Sequence, residues 1–286
     1  MQVTYTLSEL REVIGAWRST GVSIAFVPTM GNLHAGHLKL VHEARKRADK
    51  IVVSIFVNPT QFGIGEDFET YPRTEREDME KLIDVGADLL YLPSVADVYA
   101  PDALTFVTVT GLSDRYCGAS RPGHFSGVAT IVCKLLNRVQ PNIALFGQKD
   151  FQQLAIIRTM VRDLDLPVEI IGIETVREAD GLAMSSRNGY LTAQERAVAP
   201  MLYQSLCSAR DALIDDKQSM AQIERDALLF LQSAGFQADY FSIARSGDLQ
   251  RANAEDSDLV ILAAAKLGKT RLIDNICFSR ESMNKP

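Results

Sequence analysis

The 286-residue sequence has few of the residue types that build disulfide-stapled or metal-centred folds: four cysteines, four histidines and one tryptophan. The cysteines, at positions 117, 133, 207 and 277, stand singly, without the paired spacing of a zinc or redox site. A disulfide framework is not expected at this density. The cysteine content therefore favours a reducing, cytoplasmic compartment.

Excess positive charge and long apolar runs are also missing. There are 30 Lys and Arg against 36 Asp and Glu, a net charge of −6, so a basic surface for nucleic acid is not expected. No apolar stretch approaches the roughly 18–20 residues of a membrane span. The first residues lack the basic and apolar segments of a signal peptide. With 47% hydrophobic and 23% charged residues, the composition is that of a globular protein with a large core.

Two periodicities alternate in the first 175 residues. Unbroken apolar runs, typical of strands covered on both faces, occur at 23–27, 51–57, 88–92, 105–109, 143–146 and 168–173. Helical patterns lie among them at 38–48, 76–86, 127–139 and 151–164. Strands that alternate with helices predict an α/β fold, a Rossmann-like, doubly wound and mostly parallel sheet that binds ligands at the carboxyl ends of its strands.

The pattern changes after about residue 175. A turn-rich stretch at 180–189 is followed by helical patterns at 193–214 and 220–234, then by strand-like segments at 238–243, 259–264 and 270–276. Thr192 with Glu195 predicts a capping box at the start of the first helix. We therefore expect residues 1–175 to form a nucleotide-binding domain and residues 176–286 a smaller α+β domain.

The segment PTMGNLHAGH, residues 28–37, follows a predicted strand and opens a helix. Free backbone N–H groups at such a helix start attract anions, and His34 and His37 share one helix face. Two imidazoles there could donate hydrogen bonds to a polyphosphate. The alternatives are two surface histidines or, less favoured, a metal pair. His42 lies among charged residues and is given no role, whereas His124 fits a loop contact as well as a ligand contact.

Polar residues also follow two other predicted strands, and a further group lies in the segment that links the two expected domains. Asn58 to Gln61 come after the strand at 51–57, where an amide could orient a polar substrate, although Asn-Pro is also an ordinary turn signal. In the segment from Gly147 to Asp150, Lys149 could bind phosphate. Asp150 could accept hydrogen bonds from ribose hydroxyls, or it could cap the following helix. The Met184 to Arg187 loop could close on a triphosphate. If these segments converge at one edge of the sheet, they suit a nucleotide and a small anionic substrate.

The motifs together resemble a known family. An HxGH sequence after a first strand, with a serine-rich loop downstream, resembles the nucleotidyltransferase superfamily. The fuller set, PTMGNLHAGH, VSIFVNPTQF, YPRT, RPGHFSGVAT, GQKDFQQL and READGLAMSSRN, resembles the pantoate–β-alanine ligase family from about residue 25 to residue 192. Gln148 stands where some members have Glu, a difference to which we assign no function.

The resemblance implies a two-step reaction in pantothenate biosynthesis. The carboxylate of (R)-pantoate attacks the α-phosphorus of MgATP to give pantoyl-adenylate and diphosphate, and the amine of β-alanine then displaces AMP. Because the substrates carry both nucleophiles, the protein needs to position them and stabilise charge, without a nucleophilic triad. The resemblance also implies a homodimer, a C-terminal domain that closes over ATP, and Mg²⁺ held mainly by ATP phosphates with unknown protein ligands.

The resemblance assigns site residues one by one. The catalytic residues are His37, the assigned proton donor, with His34 and Lys149. Pantoate contacts are Gln61 and Gln153, and Gln61 also contacts β-alanine. The ATP-binding residues are Met30, Gly31, Asn32, Leu33, His34, Ala35, Gly36, His37, Gly147, Gln148, Lys149, Asp150, Val176, Met184, Ser185, Ser186 and Arg187. Two rival functions stay open: an adenylyltransferase that stops at nucleotide transfer, and a regulatory nucleotide-binding module with a decayed site.

Overall fold

The computed structural model describes residues 1–63 and 65–280. Its strands are β1 (Gln2–Thr4), β2 (Ile24–Thr29), β3 (Lys50–Ile55), β4 (Leu89–Tyr91), β5 (Ile143–Gly147), β6 (Glu169–Ile173), β7 (Gln237–Arg245), β8 (Asp258–Leu267) and β9 (Thr270–Ser279). Its α-helices are α1 (Leu7–Ser19), α2 (Ala35–Arg45), α3 (Glu75–Asp84), α4 (Val95–Val98), α5 (Cys117–Ser120), α6 (His124–Val139), α7 (Phe151–Asp163), α8 (Ala193–Val198), α9 (Met201–Asp215) and α10 (Met220–Ser233).

The chain divides into two compact units. Unit 1 comprises Met1–Gln148 and Gln153–Glu174, and unit 2 comprises Lys149–Gln152 and the chain from Thr175 onward. Each unit has its own cluster of buried apolar side chains.

Unit 1 contains a six-stranded sheet in the order β1-β4-β3-β2-β5-β6, and the recorded strand pairs in it are parallel. The first four residues of β2 are all buried, so side chains on both faces of this strand are covered. On one face, Val27 and Val53 pack with Leu40 of α2 and Leu82 of α3. The α/β fold that the apolar runs predict is confirmed.

The order in which the strands are added reverses at β2, whose neighbours are β3 on one side and β5 on the other. In open α/β sheets the carboxyl ends of strands flanking such a reversal form the ligand crevice. The segments that follow β2, β3 and β5 are those carrying the polar motifs of the sequence.

Unit 2 contains the antiparallel sheet β7-β8-β9, with α9 and α10 packed against it. Its core includes Leu206, Leu213, Leu231 and Ile261. The predicted α+β composition of this region is confirmed. The capping box of Thr192 and Glu195 is present at the start of α8.

Two predicted elements are wrong. Residues 105–109 do not form a strand, because Val107 N bonds to the Thr130 hydroxyl and the neighbouring Leu104 and Phe106 side chains are 92% and 63% exposed. The helix expected over 193–214 is split into α8 and α9. Pro200 lies at the break, where a residue without a backbone N–H cannot continue the hydrogen-bond ladder.

Candidate active site

The loop between β2 and α2 turns sharply at Gly31 and Asn32, which both have positive φ, +85° and +51°. A Cβ at Gly31 would lie only 3.0 Å from the Ile55 side chain and 3.2 Å from a carboxylate oxygen of Asp78. Glycine is therefore required by both the turn and the close approach. The turn brings the HxGH sequence to the first residues of α2.

Asp78 of α3 anchors this loop. Its carboxylate accepts hydrogen bonds from Asn32 N and Leu33 N, both at 2.7 Å, and from the Thr74 hydroxyl at 3.1 Å. The residue is fully buried. Lys81 donates to Leu33 O at 2.7 Å. A buried carboxylate needs such donors, and here the donors are the backbone of the HxGH segment. The sequence interpretation missed Asp78 because it lies inside the charged run EREDMEK, which resembles a solvated helix face.

The two histidines of the HxGH sequence lie against each other at the start of α2, as their spacing predicts. His34 is the N-cap residue, and the ring centroids of His34 and His37 are 4.1 Å apart. His34 Nδ1 accepts from Gly36 N at 3.1 Å, and His37 Nδ1 accepts from His34 N at 3.3 Å. Since Nδ1 is the acceptor in both rings, the neutral tautomer that this network assigns carries its proton on Nε2. Each histidine is thus arranged as an Nε2–H donor.

Gln61, in the short turn after β3, is oriented through its amide and its backbone. Its Oε1 accepts from Asn58 at 3.1 Å, and its Nε2 points to Met30 Sδ at 2.9 Å. Asn58 is buried, and its Oδ1 accepts from the Tyr99 hydroxyl at 2.8 Å. Burial raises the pKa of Tyr99 above its usual range, which keeps the phenol a donor. The side chain of Gln61 is therefore held by the amide of Asn58 and the thioether of Met30, and the Tyr99 hydroxyl in turn holds Asn58.

His124 and Arg121 hold the backbone of the same turn. His124 Nδ1 lies 2.7 Å from Gln61 O and Nε2 lies 3.0 Å from Arg121 Nη1, an arrangement that places the ring proton on Nδ1. Arg121 also pairs with Glu66 at 2.5 Å. Burial raises the pKa of Glu66, but the Arg121 guanidinium outweighs it and lowers the value to about 2. The structure thus gives His124 a loop contact, whereas His42 is exposed, as predicted.

The sequence RPGHFSGVAT fits against this turn through Gly127. A Cβ at Gly127 would lie 2.3 Å from Thr60 O, so α6 can approach the turn this closely only with glycine here. Asn58 Nδ2 donates to Gly127 O at 3.2 Å. Gln153, in the first turn of α7, is half-buried.

Unit 2 contains Lys149 and Asp150 of the GQKD sequence and the whole READGLAMSSRN segment, whereas Gly147 and Gln148 belong to unit 1. Lys149 is largely buried, with 19% of its side chain exposed, and its Nζ lies 3.8 Å from the Asp150 carboxylate. The main-chain oxygen of Lys149 accepts a hydrogen bond from Asn275 Nδ2 at 2.8 Å. Asp150 is about half exposed, so its carboxylate retains solvent access beside the ammonium.

The READGLAMSSRN segment forms a short hairpin in unit 2. Arg177 and Ala183 form an antiparallel bridge, and Met184 N donates to Val176 O at 2.9 Å. Ser185 then caps the short 3-10 helix Ser186–Tyr190 by accepting from Arg187 N. The turn-rich stretch that the sequence predicts as a loop is therefore tied by main-chain hydrogen bonds on both sides of Met184.

Arg177 fixes the base of this hairpin. Its guanidinium makes two bonds to the buried Asp274 carboxylate, at 2.6 and 2.9 Å, and lies 3.5 Å from the ring centroid of Tyr203. It also donates to Gly181 O at 3.1 Å. Asp274 and Asn275 belong to none of the motifs in the sequence. They do carry a signal, since they interrupt the apolar run at residues 272–278.

Among residues 1–63 and 65–280, no group of three or more His, Cys, Asp or Glu is placed to hold a metal ion. Within the same residues, no helix is long and apolar enough to cross a membrane. The four cysteines are not joined by disulfides.

Comparison with known proteins identifies close relatives over the whole length. The family model described as Pantoate-beta-alanine ligase matches residues 2–277. The pantothenate synthetase of Methylococcus capsulatus is 56% identical over 284 residues, 99% of each chain, and that of Shewanella oneidensis is 56% identical over 277 residues, 96% of this chain and 98% of its own.

Two solved structures have the same fold. The pantothenate synthetase of Thermus thermophilus has a TM-score of 0.91 at 43% identity, covering 96% of this chain and 99% of its own. The pantoate-beta-alanine ligase of Francisella tularensis, complexed with beta-gamma ATP and beta-alanine, has a TM-score of 0.82 at 34% identity and covers 98% of both chains.

Proposed function

The chain belongs to the pantoate–β-alanine ligase family, and from that premise we propose how its residues carry out the reaction. The activity is that of a ligase that uses ATP to join pantoate to β-alanine through an amide bond. The observation that carries the residue assignment is the pair of Nε2–H donors at the start of α2, fixed by the Asp78 anchor.

The first half-reaction forms pantoyl-adenylate. A pantoate carboxylate oxygen forms a bond to the α-phosphorus of ATP, and the bond to the bridging oxygen breaks, so that diphosphate leaves with the electron pair. In the second half-reaction the amine of β-alanine attacks the acyl carbon, and the bond from that carbon to the phosphate oxygen of AMP breaks. AMP leaves with the electron pair, and the amine nitrogen loses a proton to solvent. Both nucleophiles belong to substrates, so the protein supplies orientation and charge stabilisation.

His34 and His37 are proposed to bind the ATP phosphates. Their Nε2–H groups donate hydrogen bonds at the amino end of α2, where the helix dipole also favours negative charge. Donation to the charge that develops on the leaving diphosphate stabilises the transition state without a full proton transfer. Diphosphate is a good leaving group, so we assign His37 hydrogen bonding in preference to literal proton donation. The rest of the segment from Met30 to Gly36 is proposed to line the same nucleotide.

Residues of unit 2 are proposed to contact other parts of ATP. Lys149, largely buried beside Asp150, presents a cation for phosphate, and Asp150 presents a carboxylate for ribose hydroxyls. Val176 offers main-chain groups to adenine, and Met184 to Arg187 bring two hydroxyls and a guanidinium to the phosphates. Gly147 and Gln148, at the end of β5 in unit 1, are also proposed to contact ATP.

Gln61 is proposed to bind pantoate and to contact β-alanine. Its Oε1 accepts from Asn58, while one Nε2 hydrogen faces the thioether of Met30, a weak acceptor. The second Nε2 hydrogen suits the oxygens of a small hydroxy acid. Gln153 is proposed as a second pantoate contact from α7.

Mg²⁺, oligomeric state and compartment complete the proposal. Mg²⁺ is proposed to be carried mainly by ATP phosphates, where it would neutralise phosphate charge. We propose that the protein is a homodimer. We also propose a cytoplasmic compartment, because the four cysteines stand singly in the sequence and do not form a disulfide framework.

The experiment that tests the function is pantoate-dependent exchange of labelled diphosphate into ATP, with Mg²⁺ present and β-alanine absent. Exchange that requires pantoate establishes a reversible adenylate half-reaction, and added β-alanine then yields pantothenate and AMP. Exchange without amide formation after β-alanine is added would favour an adenylyltransferase. A folded protein that binds ATP and exchanges nothing would favour the regulatory module.

A further inference from the structure

Two consecutive buried polar residues interrupt strand β9. Asp274 and Asn275 are 4% and 6% exposed, and they pair across the ladder with Ala263 and Leu262 of β8. A buried amide or carboxylate costs free energy unless its hydrogen bonds are satisfied. The partners of these two side chains therefore indicate what the strand holds in place.

Asn275 holds the main chain of Lys149. Its Nδ2 donates to Lys149 O at 2.8 Å, a contact between positions 126 residues apart in the chain. Since the carbonyl belongs to the same residue as the ammonium, fixing it restricts the direction in which the Lys149 side chain leaves the backbone. The Lys149 side chain is itself largely buried, so it has little freedom to compensate.

Asp274 and Arg177 hold Asn275 in turn. Asn275 N donates to Asp274 Oδ1 at 2.8 Å, and Arg177 Nη2 donates to Asn275 O at 3.3 Å. The same guanidinium fixes the hairpin that carries Val176 and Met184. A buried ion pair adds little stability compared with an apolar pair of equal volume, so what this pair contributes is geometry.

We propose that Asn275 is a positioning residue that acts through Lys149, and that the Arg177–Asp274 pair keeps Asn275 in register with the Val176–Met184 hairpin. The proposal rests on the proposed contact of Lys149 with ATP phosphate. It assigns a function in adenylation to strand β9, far in sequence from the HxGH, GQKD and MSSRN motifs.

The test is a double-mutant cycle on the diphosphate exchange reaction. Asn275→Ala removes the donor, and Asn275→Leu removes it while keeping the volume. Each is made in the wild-type and in the Lys149→Ala background. Both single variants are expected to lower kcat/KM for ATP about tenfold, the size of one lost hydrogen bond, with the KM for pantoate unchanged. In the Lys149→Ala background the same substitutions should have no further effect. Cys277→Ala, an exposed position on the same strand, is the matched control.

The outcomes separate the proposal from the function on which it rests. Equal losses in both backgrounds, or a parallel rise in the KM for pantoate, would show that Asn275 acts through general structure and would overturn the proposal. Full activity in both single variants would overturn it too. If the wild-type protein shows no pantoate-dependent exchange, the proposed function itself has failed. Thermal unfolding of every variant identifies losses caused by instability, and agreement between Ala and Leu excludes a cavity effect.

Discussion

Asp78→Asn is the sharpest test of how the HxGH loop is held. The substitution keeps the shape of the side chain but replaces one carboxylate oxygen by an amide nitrogen with two hydrogens. In the structure both oxygens face backbone donors, Asn32 N and Leu33 N, at 2.7 Å each. The amide oxygen can satisfy one donor, whereas the amide nitrogen must face the other, donor against donor.

The expected loss follows from those contacts. A hydrogen bond to a charged group contributes about 1.5–3 kcal/mol, and a buried group left without a partner costs about 1–3 kcal/mol. One such bond is lost outright and the other loses its charge assistance, which gives about 2–4 kcal/mol in the free energy of unfolding. The loss of the ion pair to Lys81, at 3.8 Å with 40% of the lysine side chain exposed, adds little because solvent screens it.

The assay is urea unfolding, followed by fluorescence of Trp17. This is the single tryptophan of the chain and lies in α1 of unit 1, so its signal reports on the unit that contains Asp78. Asp84→Asn, an exposed carboxylate on the same helix, is the control and should change stability by less than about 0.5 kcal/mol. If Asp78→Asn is as stable as the control and exchanges diphosphate normally, the anchor argument is wrong.

Three further expectations concern single side chains. Gln61→Ala should raise the KM for pantoate, since it removes the amide that Asn58 orients; an unchanged KM in steady-state assays would remove Gln61 from the site. Lys149→Ala should lower the adenylation rate much more than it weakens pantoate binding, as measured by exchange and by calorimetry, because its charge matters most as phosphate charge shifts; equal losses would count against that assignment. Arg121 lowers the pKa of Glu66 from its ordinary 4.5 to about 2, against the opposing effect of burial. The pairing of Glu66 with Arg121 therefore stabilises the fold above about pH 4.5, and this stabilisation decreases as the pH falls towards 2. The difference in unfolding free energy between wild type and Arg121→Ala should therefore shrink over that range, and a difference that stays constant down to pH 2 would contradict the pairing.

The sequence predicts most strands of the unit 1 sheet because both faces of these strands are buried. Strands such as Ile24–Thr29 read as continuous apolar runs since both of their faces are covered. The same reasoning fails at the apolar run at 105–109, where Val107 N bonds to the Thr130 side chain of α6 instead of to a neighbouring strand. The strand propensity of a segment does not show whether it pairs with a neighbouring strand.

In the candidate site, too, the sequence indicates some residues and not others. The residues proposed to offer groups to a ligand, such as His34, Gln61 and Lys149, lie in local motifs, so the sequence can indicate them as candidates. The residues that hold these side chains in place do not lie in local motifs. Asp78 acts 46 positions away from Asn32, and Asn275 acts 126 positions away from Lys149. No local pattern encodes a contact at that separation. Asp78 is further concealed by its charged neighbours on α3.

The structure uses the same physical device in both units, a buried carboxylate that binds protein donors beside residues proposed to bind substrate. Asp78 takes two backbone N–H groups, and Asp274 takes the Arg177 guanidinium and Asn275 N. Such anchors couple stability to activity, because removing one leaves buried donors without partners and also releases the loop that they hold. The side chains proposed to bind substrate do not anchor a loop in this way. Substitutions at Asp78 and Asp274 should therefore lower stability and adenylation together, whereas those at Gln61 and Lys149 should lower activity at nearly constant stability.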